Sequence, residues 1–136
     1  MSDKVILDSS LIAAIFFKEE ASERAERAVE NCDLITVDLA AAEVANVAWK
    51  RVIFFNESKE ITSKALKGSI DFITGVCEII TSQELLEDAF EIAIVDKITI
   101  YDSLFIAASE REKVPLLTTD GKLYEKVKSK RSVKLI

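Results

Sequence analysis

Four acidic residues sit where a charge is hard to keep. Asp8 ends the apolar run of "VILDSS", Glu43 lies inside "AAAEVANVA", Asp102 opens "IYDSLFIAAS", and Asp120 follows "LLTT". Burying a carboxylate without a partner is costly. Glu43 is the most exposed to this argument. The nearest cations on its own segment are Lys50 and Arg51, two turns away, and Asn46, one turn on, can hydrogen-bond but cannot neutralise. Four carboxylates gathered at one place would repel each other and persist only with protons or cations among them. The chain contains no histidine. That excludes Ser–His and Cys–His nucleophiles and any His-liganded metal. Its two cysteines, Cys32 and Cys77, are a poor zinc set and read as free thiols. The remaining ligands are hard oxygens, which select Mg²⁺ or Mn²⁺. The chemistry that suits such an ion is hydrolysis of a phosphodiester.

Each residue also has a plainer role. Asp120 precedes a helix and suits an N-cap. Asp102 lies in a first helical turn, where a carboxylate complements the helix dipole. Asp8 can accept from backbone amides of the segment that follows it.

The elements that must position these residues alternate along the chain. Lys4–Asp8 reads as a buried strand, followed by a helix over "SLIAAIFF" that Ser9 or Ser10 can cap. "EEASERAERAVENC" has a helical apolar stripe, and Asp33–Val37 is a second strand. Asp38–Phe55 is a helix apolar nearly all round, hence expected to be largely buried, with Asp38 as its N-cap. A further helix begins at Lys59, a short strand is expected at Ile79–Thr81, and two helices follow over "SQELLEDAFEIAIVDK" and "TIYDSLFIAASEREK". "PLLTT", "DGKLYEKVKSK" and "SVKLI" complete the pattern as strand, helix and strand. Apolar strands alternating with helices specify a three-layer α/β/α sandwich with a mostly parallel central sheet. Ligands then bind beyond the strand C-termini, where the strand order reverses. Asp8 and Asp120 both fall at such ends.

Composition agrees with a folded, soluble chain. Its 136 residues, 49% of them hydrophobic and 31% charged, suit a single domain over 1–136. No apolar stretch reaches the ~18 residues of a membrane span, and no signal-peptide order is present, so a cytoplasmic location is expected. Net charge is −6, which argues against a polyanionic substrate unless charge is unevenly placed. Setting four site carboxylates aside leaves 20 acids against 18 Lys and Arg, a remainder of −2. Lys122 and Lys126 share a helix face beside Asp120 and are candidate contacts for substrate phosphates, with a solvated helix face as the alternative. Lys18, Lys50 and Arg51 are weaker rim candidates. Trp49, Phe54 and Phe55 are expected to pack in the core. The "FF" pair before polar "NESKE" is nevertheless the best candidate for an exposed apolar patch. Tyr101 is expected to pack as well.

In order along the chain, "VILDSSLIAAIF", "AAEVANVAW", "TIYDSLFIAAS" and "LLTTDGKL" resemble the PIN domain, and specifically the VapC toxins of toxin–antitoxin pairs. Each piece is a carboxylate among apolar residues, and the ordered set spans almost the whole chain. The resemblance implies a fold related to that of flap nucleases and a metal-dependent endoribonuclease. It implies that Asp8, Glu43, Asp102 and Asp120 hold one or two Mg²⁺ or Mn²⁺ and activate a water for in-line attack on the scissile phosphate. Ser9 or Ser10 and Thr119 would orient those ligands, and Asn46 would do the same or touch substrate. It further implies a VapB-like antitoxin and a homodimer, with an apolar patch between early helices receiving the antitoxin or the second subunit. Two rivals keep the fold: an RNA-processing nuclease without an antitoxin, and a PIN-like binding module that has lost catalysis. A phosphoryl-transfer domain of similar architecture is disfavoured, because the residue before Asp8 is Leu7 and a haloacid-type second aspartate is replaced by Ser10.

Overall fold

The computed structural model describes residues 3–136. Five parallel strands form one sheet in the order β3-β2-β1-β4-β5. They are β1 (Asp3–Leu7), β2 (Cys32–Val37), β3 (Glu78–Ile80), β4 (Leu116–Thr118) and β5 (Val133–Leu135). β1 is central, with Ile6 opposite both Ile35 of β2 and Leu116 of β4. Val5, Ile6 and Leu7 are all buried, so this strand is apolar on both faces, as a covered parallel strand must be.

The helices are α1 (Ser9–Phe16), α2 (Ser22–Ala28), α3 (Leu39–Ile53), α4 (Lys59–Gly75), α5 (Ser82–Asp96), α6 (Ile100–Glu112) and α7 (Gly121–Val127). α1 to α4 pack on one another, and α5 packs chiefly on α6, which lies against β1, β2 and β4. Right-handed crossovers account for this division. The chain moves outward from β1 to β3 with α1 to α4 on one face. It then returns across the sheet through α5 and α6 on the other. The expected three-layer sandwich results, and every strand pairing is parallel. The order reverses between β1 and β4, so Leu7 and Thr118 end neighbouring strands at the switch point.

Several local expectations change. α3 buries only Ala40, Val44 and Ala48, an i, i+4 row of small side chains on its inner face. That row faces α1 and α4. Trp49, Phe54 and Phe55 point outward and are 51%, 65% and 71% exposed, so the core assignment for them is wrong and the patch is real. An apolar composition all round does not bury a helix that has only one packed side. Asp38 does not cap α3; its carboxylate accepts from the Ser82 N–H at 2.9 Å and ties α5 to α3. α1 is capped by Asp8, not by a serine. The helix expected over "EEASERAERAVENC" shrinks to α2, and Asn31 turns the chain with φ 58°.

A buried ion pair fastens the far end of the sheet. Asp96, fully buried at the end of α5, accepts from Arg131 Nε at 2.9 Å and from Nη2 at 3.0 Å. Arg131 also reaches Glu110. Arg131→Met would remove both hydrogen bonds to Asp96 and leave it only Lys130 at 3.9 Å, and breaking a buried pair costs about 3–5 kcal/mol. Urea unfolding should show a drop of that size; a loss under about 1 kcal/mol would mean that Asp96 is satisfied without Arg131.

Candidate active site

β1 delivers Asp8 at the switch point and α1 begins immediately after it. The Asp8 carboxylate caps that helix by accepting from the Leu11 N–H at 2.9 Å. Ser10 Oγ donates to the same oxygen, Oδ1, at 2.7 Å. Thr118 Oγ1 donates to the other oxygen, Oδ2, at 2.5 Å. A carboxylate has about four acceptor positions, so Asp8 has roughly one left, on Oδ2. Three donors stabilise the charged form, yet the carboxyl sits at about 6 rather than its ordinary 3.8. Burial is the larger cause, with a smaller contribution from the charge of Asp102.

The hydroxyl that meets Asp8 belongs to Thr118, not to Thr119 as the sequence suggested. Thr119 joins the network through its backbone N–H, which donates to Ser10 Oγ at 3.0 Å. Thr118 is fully buried, and its hydroxyl also accepts from the Asp120 N–H at 3.0 Å. Ser10 Oγ and Thr118 Oγ1 lie 3.1 Å apart. With Asp8 ionised both hydroxyl protons point at it. With Asp8 protonated, a ring from Oδ2 through Thr118 and Ser10 back to Oδ1 remains satisfied. Strand alternation was the available signal: two residues before Asp120 is an inward-facing position of a buried strand.

Glu43 projects from α3 and accepts from Ser9 Oγ. Its carboxyl is half-buried and lies above the ordinary value, because of burial first and the charge of Asp102 second. Asp102 is held in the first turn of α6, whose N-cap is Thr99. Burial and the charge of Asp120 push its carboxyl up, while Thr99 and the charge of Lys126 pull it down. Asp120 caps α7 by accepting from the Leu123 N–H at 3.1 Å. The cap reading and the site reading therefore hold together for Asp8 and for Asp120.

All four carboxylates line one cavity of about 580 Å³, together with Ser9, Ser10, Asn46 and Lys50. Tyr101 also lines it and is exposed, contrary to the expectation that it packs. Lys122 and Lys126 lie outside this cavity, in a second one that shares Asp102 and Asp120. Arg51 is withdrawn from the rim, paired with Glu19 and Glu57 and stacked over Phe17. Lys18 contributes its backbone carbonyl to Arg51, at 3.4 Å.

Residues 5–129 match the PIN domain. The chain belongs to the PIN-domain family. Among PIN-domain relatives, Ribonuclease VapC3 of Pyrobaculum aerophilum is 39% identical over 124 residues, covering 90% of this chain and 94% of the relative. Solved structures of similar fold include a toxin and a toxin–antitoxin complex. The Mycobacterium tuberculosis toxin VapC20, described as cleaving the sarcin–ricin loop, has a TM-score of 0.68 at 16% identity, with 89% of this chain and 93% of that one covered. A toxin–antitoxin complex from Klebsiella pneumoniae gives 0.64 at 17% identity, with 96% and 95% covered.

The donor set suits a hard divalent cation: four carboxylates and nearby hydroxyls around one cavity, with the carboxyls of Asp8, Glu43 and Asp102 each raised by burial and by the charge of a neighbouring carboxylate. Among the described residues no three His, Cys, Asp or Glu side chains already close on a single point. Mg²⁺ tolerates this, since it keeps several waters and takes only one or two carboxylates directly.

The raised carboxyl of Asp8 has a pH signature in metal-free protein. A carboxyl raised on folding adds stability that is complete below its unfolded value near 3.8 and is lost as pH rises through about 6. Asn at this position mimics the protonated form. In EDTA, the stability gap favouring Asp8→Asn over the wild type should therefore open between about pH 4 and 6, reaching on the order of 3 kcal/mol. A gap that stays constant with pH, followed by thermal melts, would show that burial does not strain Asp8.

Proposed function

We propose that the protein is a Mg²⁺- or Mn²⁺-dependent endoribonuclease that hydrolyses RNA phosphodiester bonds in the cytoplasm, as the toxin of a VapBC-type pair. The observation that carries this reading is the buried Asp8 carboxylate sharing one cavity with Glu43, Asp102 and Asp120 in a PIN-domain chain. The 39% identity to a protein named Ribonuclease VapC3 supports the substrate class. The likeness to a toxin–antitoxin complex fits an antitoxin partner.

Asp8, Glu43, Asp102 and Asp120 would hold the cation. When bound, it acidifies a water and offsets the negative charge that builds on the phosphate. The protein's own part is orientation. Ser10 and Thr118 fix both oxygens of Asp8, leaving Oδ2 to make the next contact. Ser9 fixes Glu43. Thr119 positions Ser10 through its backbone, and Asn46 lines the cavity where substrate enters. The anchoring of Asp8 and Asp120 on helix caps keeps the carboxylates in place without help from the cation.

Two separate apolar faces suit two protein partners. One comprises Trp49, packed edge-on against Phe54 at 5.3 Å, with Ile53 and Phe55. Phe55 also walls a cavity of about 370 Å³ with Val47 and Lys50, residues that line the catalytic cavity too. An antitoxin bound there would lie against the entrance. The other face is the exposed row Leu86, Phe90 and Ile94 along α5, which we assign to a second copy of the chain. Phe90→Glu should convert a dimer to a monomer in light scattering while RNA cleavage per site survives at high enzyme concentration. An unchanged mass would remove α5 from the interface.

The direct test is cleavage of RNA with Mg²⁺, Mn²⁺ or EDTA. Wild type should cut only with metal. Asp8→Asn should lose at least about a hundredfold in kcat while retaining its circular dichroism, the scale of loss when a group that stabilises the transition state is removed. Equal cleavage by the variant would exclude Asp8 from the site.

A further inference from the structure

The cavity beside the catalytic one is lined by three lysines as well as by two carboxylates. It measures about 400 Å³ and has Asp102 and Asp120 as a common wall with its neighbour. Its other polar side chains are Lys97, Lys122, Lys126 and Thr99. The three lysines come from two elements far apart in sequence. Lys97 is the left-handed C-cap of α5, at φ 56°. Lys122 and Lys126 lie one turn apart on α7.

These amines are not committed elsewhere. Among the described residues none of the three has a carboxylate within ion-pair distance, whereas their neighbours Lys128, Lys130 and Arg131 pair with Glu125, Asp96 and Glu110. Lys126 lies close enough to Asp102 for its charge to favour the ionised carboxyl. The charge is therefore divided across one ridge. On one side are the four carboxylates with Lys50 as the cation. On the other, three lysines face the two shared carboxylates, a local excess of positive charge. Before a cation is bound, a polyanion placed across that ridge gains net attraction on the lysine side only. The shared wall makes the two cavities adjacent, so a strand crossing it would present phosphates to both.

We propose that the cavity walled by Lys97, Lys122 and Lys126 is a phosphate subsite that takes the RNA backbone next to the scissile bond. This rests on the ribonuclease reading and adds to it a polarity: the strand lies from the carboxylate cavity across Asp102 and Asp120 into the lysine cavity. The subsite holds substrate and takes no part in bond breaking. Its loss should raise KM for a polyanion and leave a substrate with one phosphate untouched.

The experiment compares the wild type with Lys97→Met/Lys122→Met, which leaves Lys126 and its effect on Asp102 in place, and with Lys64→Met on α4 as a charge control. Methionine keeps the apolar stem of each lysine. Two substrates are used in Mg²⁺: an RNA oligonucleotide, and bis(p-nitrophenyl) phosphate, which has no neighbouring phosphate. The double variant should show a KM for RNA raised severalfold or more, with kcat nearly unchanged. The salt dependence of kcat/KM should be shallower by about 1.4 in log–log slope, from roughly 0.7 for each of two lost phosphate contacts on a single strand. Hydrolysis of the small diester should match wild type. Equal losses on both substrates would overturn the subsite and leave the nuclease reading standing, as would an RNA KM and salt slope like those of Lys64→Met. Failure of wild type to cleave either substrate would sink the ribonuclease reading and the subsite with it.

Discussion

The burial of one carboxylate governs this molecule's functional edge. Asp8 stands where the central strand ends and the first helix begins, 5% exposed, with Thr118 from the neighbouring strand against it. Three hydrogen bonds to the charged form are not enough to offset the loss of water, and its carboxyl rises to about 6. The consequence is a position that holds its charge reluctantly near neutral pH and gains from any cation brought close. Parallel topology makes such a position available, because backbone N–H groups at the start of α1 and α7 converge on the gap between β1 and β4. The same donors that cap the helices hold the carboxylates.

Around that point the charges are arranged by distance and not by number. A net charge of −6 suggests a surface hostile to nucleic acid. The fold gathers four of the acids in one cavity and commits many others to ion pairs with basic residues, including Glu19, Glu57 and Asp96. Lysines without such partners are left beside the cavity. The apolar faces on α3 and α5 lie apart from the carboxylates, except where Val47 and Lys50 join the α3 face to the entrance. Regulation by a bound partner and access of substrate would then share a boundary.

Much of this was legible in the sequence because short parallel strands bounded by carboxylates leave a strong imprint. "KVILD" and "PLLTTD" declare both the strand and the residue at its end. The acidic set followed from residues that resist burial, and the sheet direction from strand–helix alternation. What escaped was orientation. Which of two adjacent threonines faces Asp8 depends on the pleat, and the side chain turned inward is Thr118. Whether Trp49 and Phe55 are inside depends on which helices cover α3, which its own composition does not state. Asp38 looked like a cap and is instead a strut to α5, a contact between residues 44 apart in the chain. Lys97 escaped too, since it joins Lys122 and Lys126 only once α5 is packed beside α7's end of the sheet.

The central claim is that Asp8, Glu43, Asp102 and Asp120 form a site made for a divalent cation. Crystals soaked in Mn²⁺ test it most directly, through anomalous scattering from the metal. The account predicts a peak in the cavity within direct coordination distance, about 2–2.3 Å, of at least one oxygen of Asp8 or Asp102, and its disappearance in Asp8→Asn crystals. A map with no peak in that cavity at millimolar Mn²⁺ would contradict it.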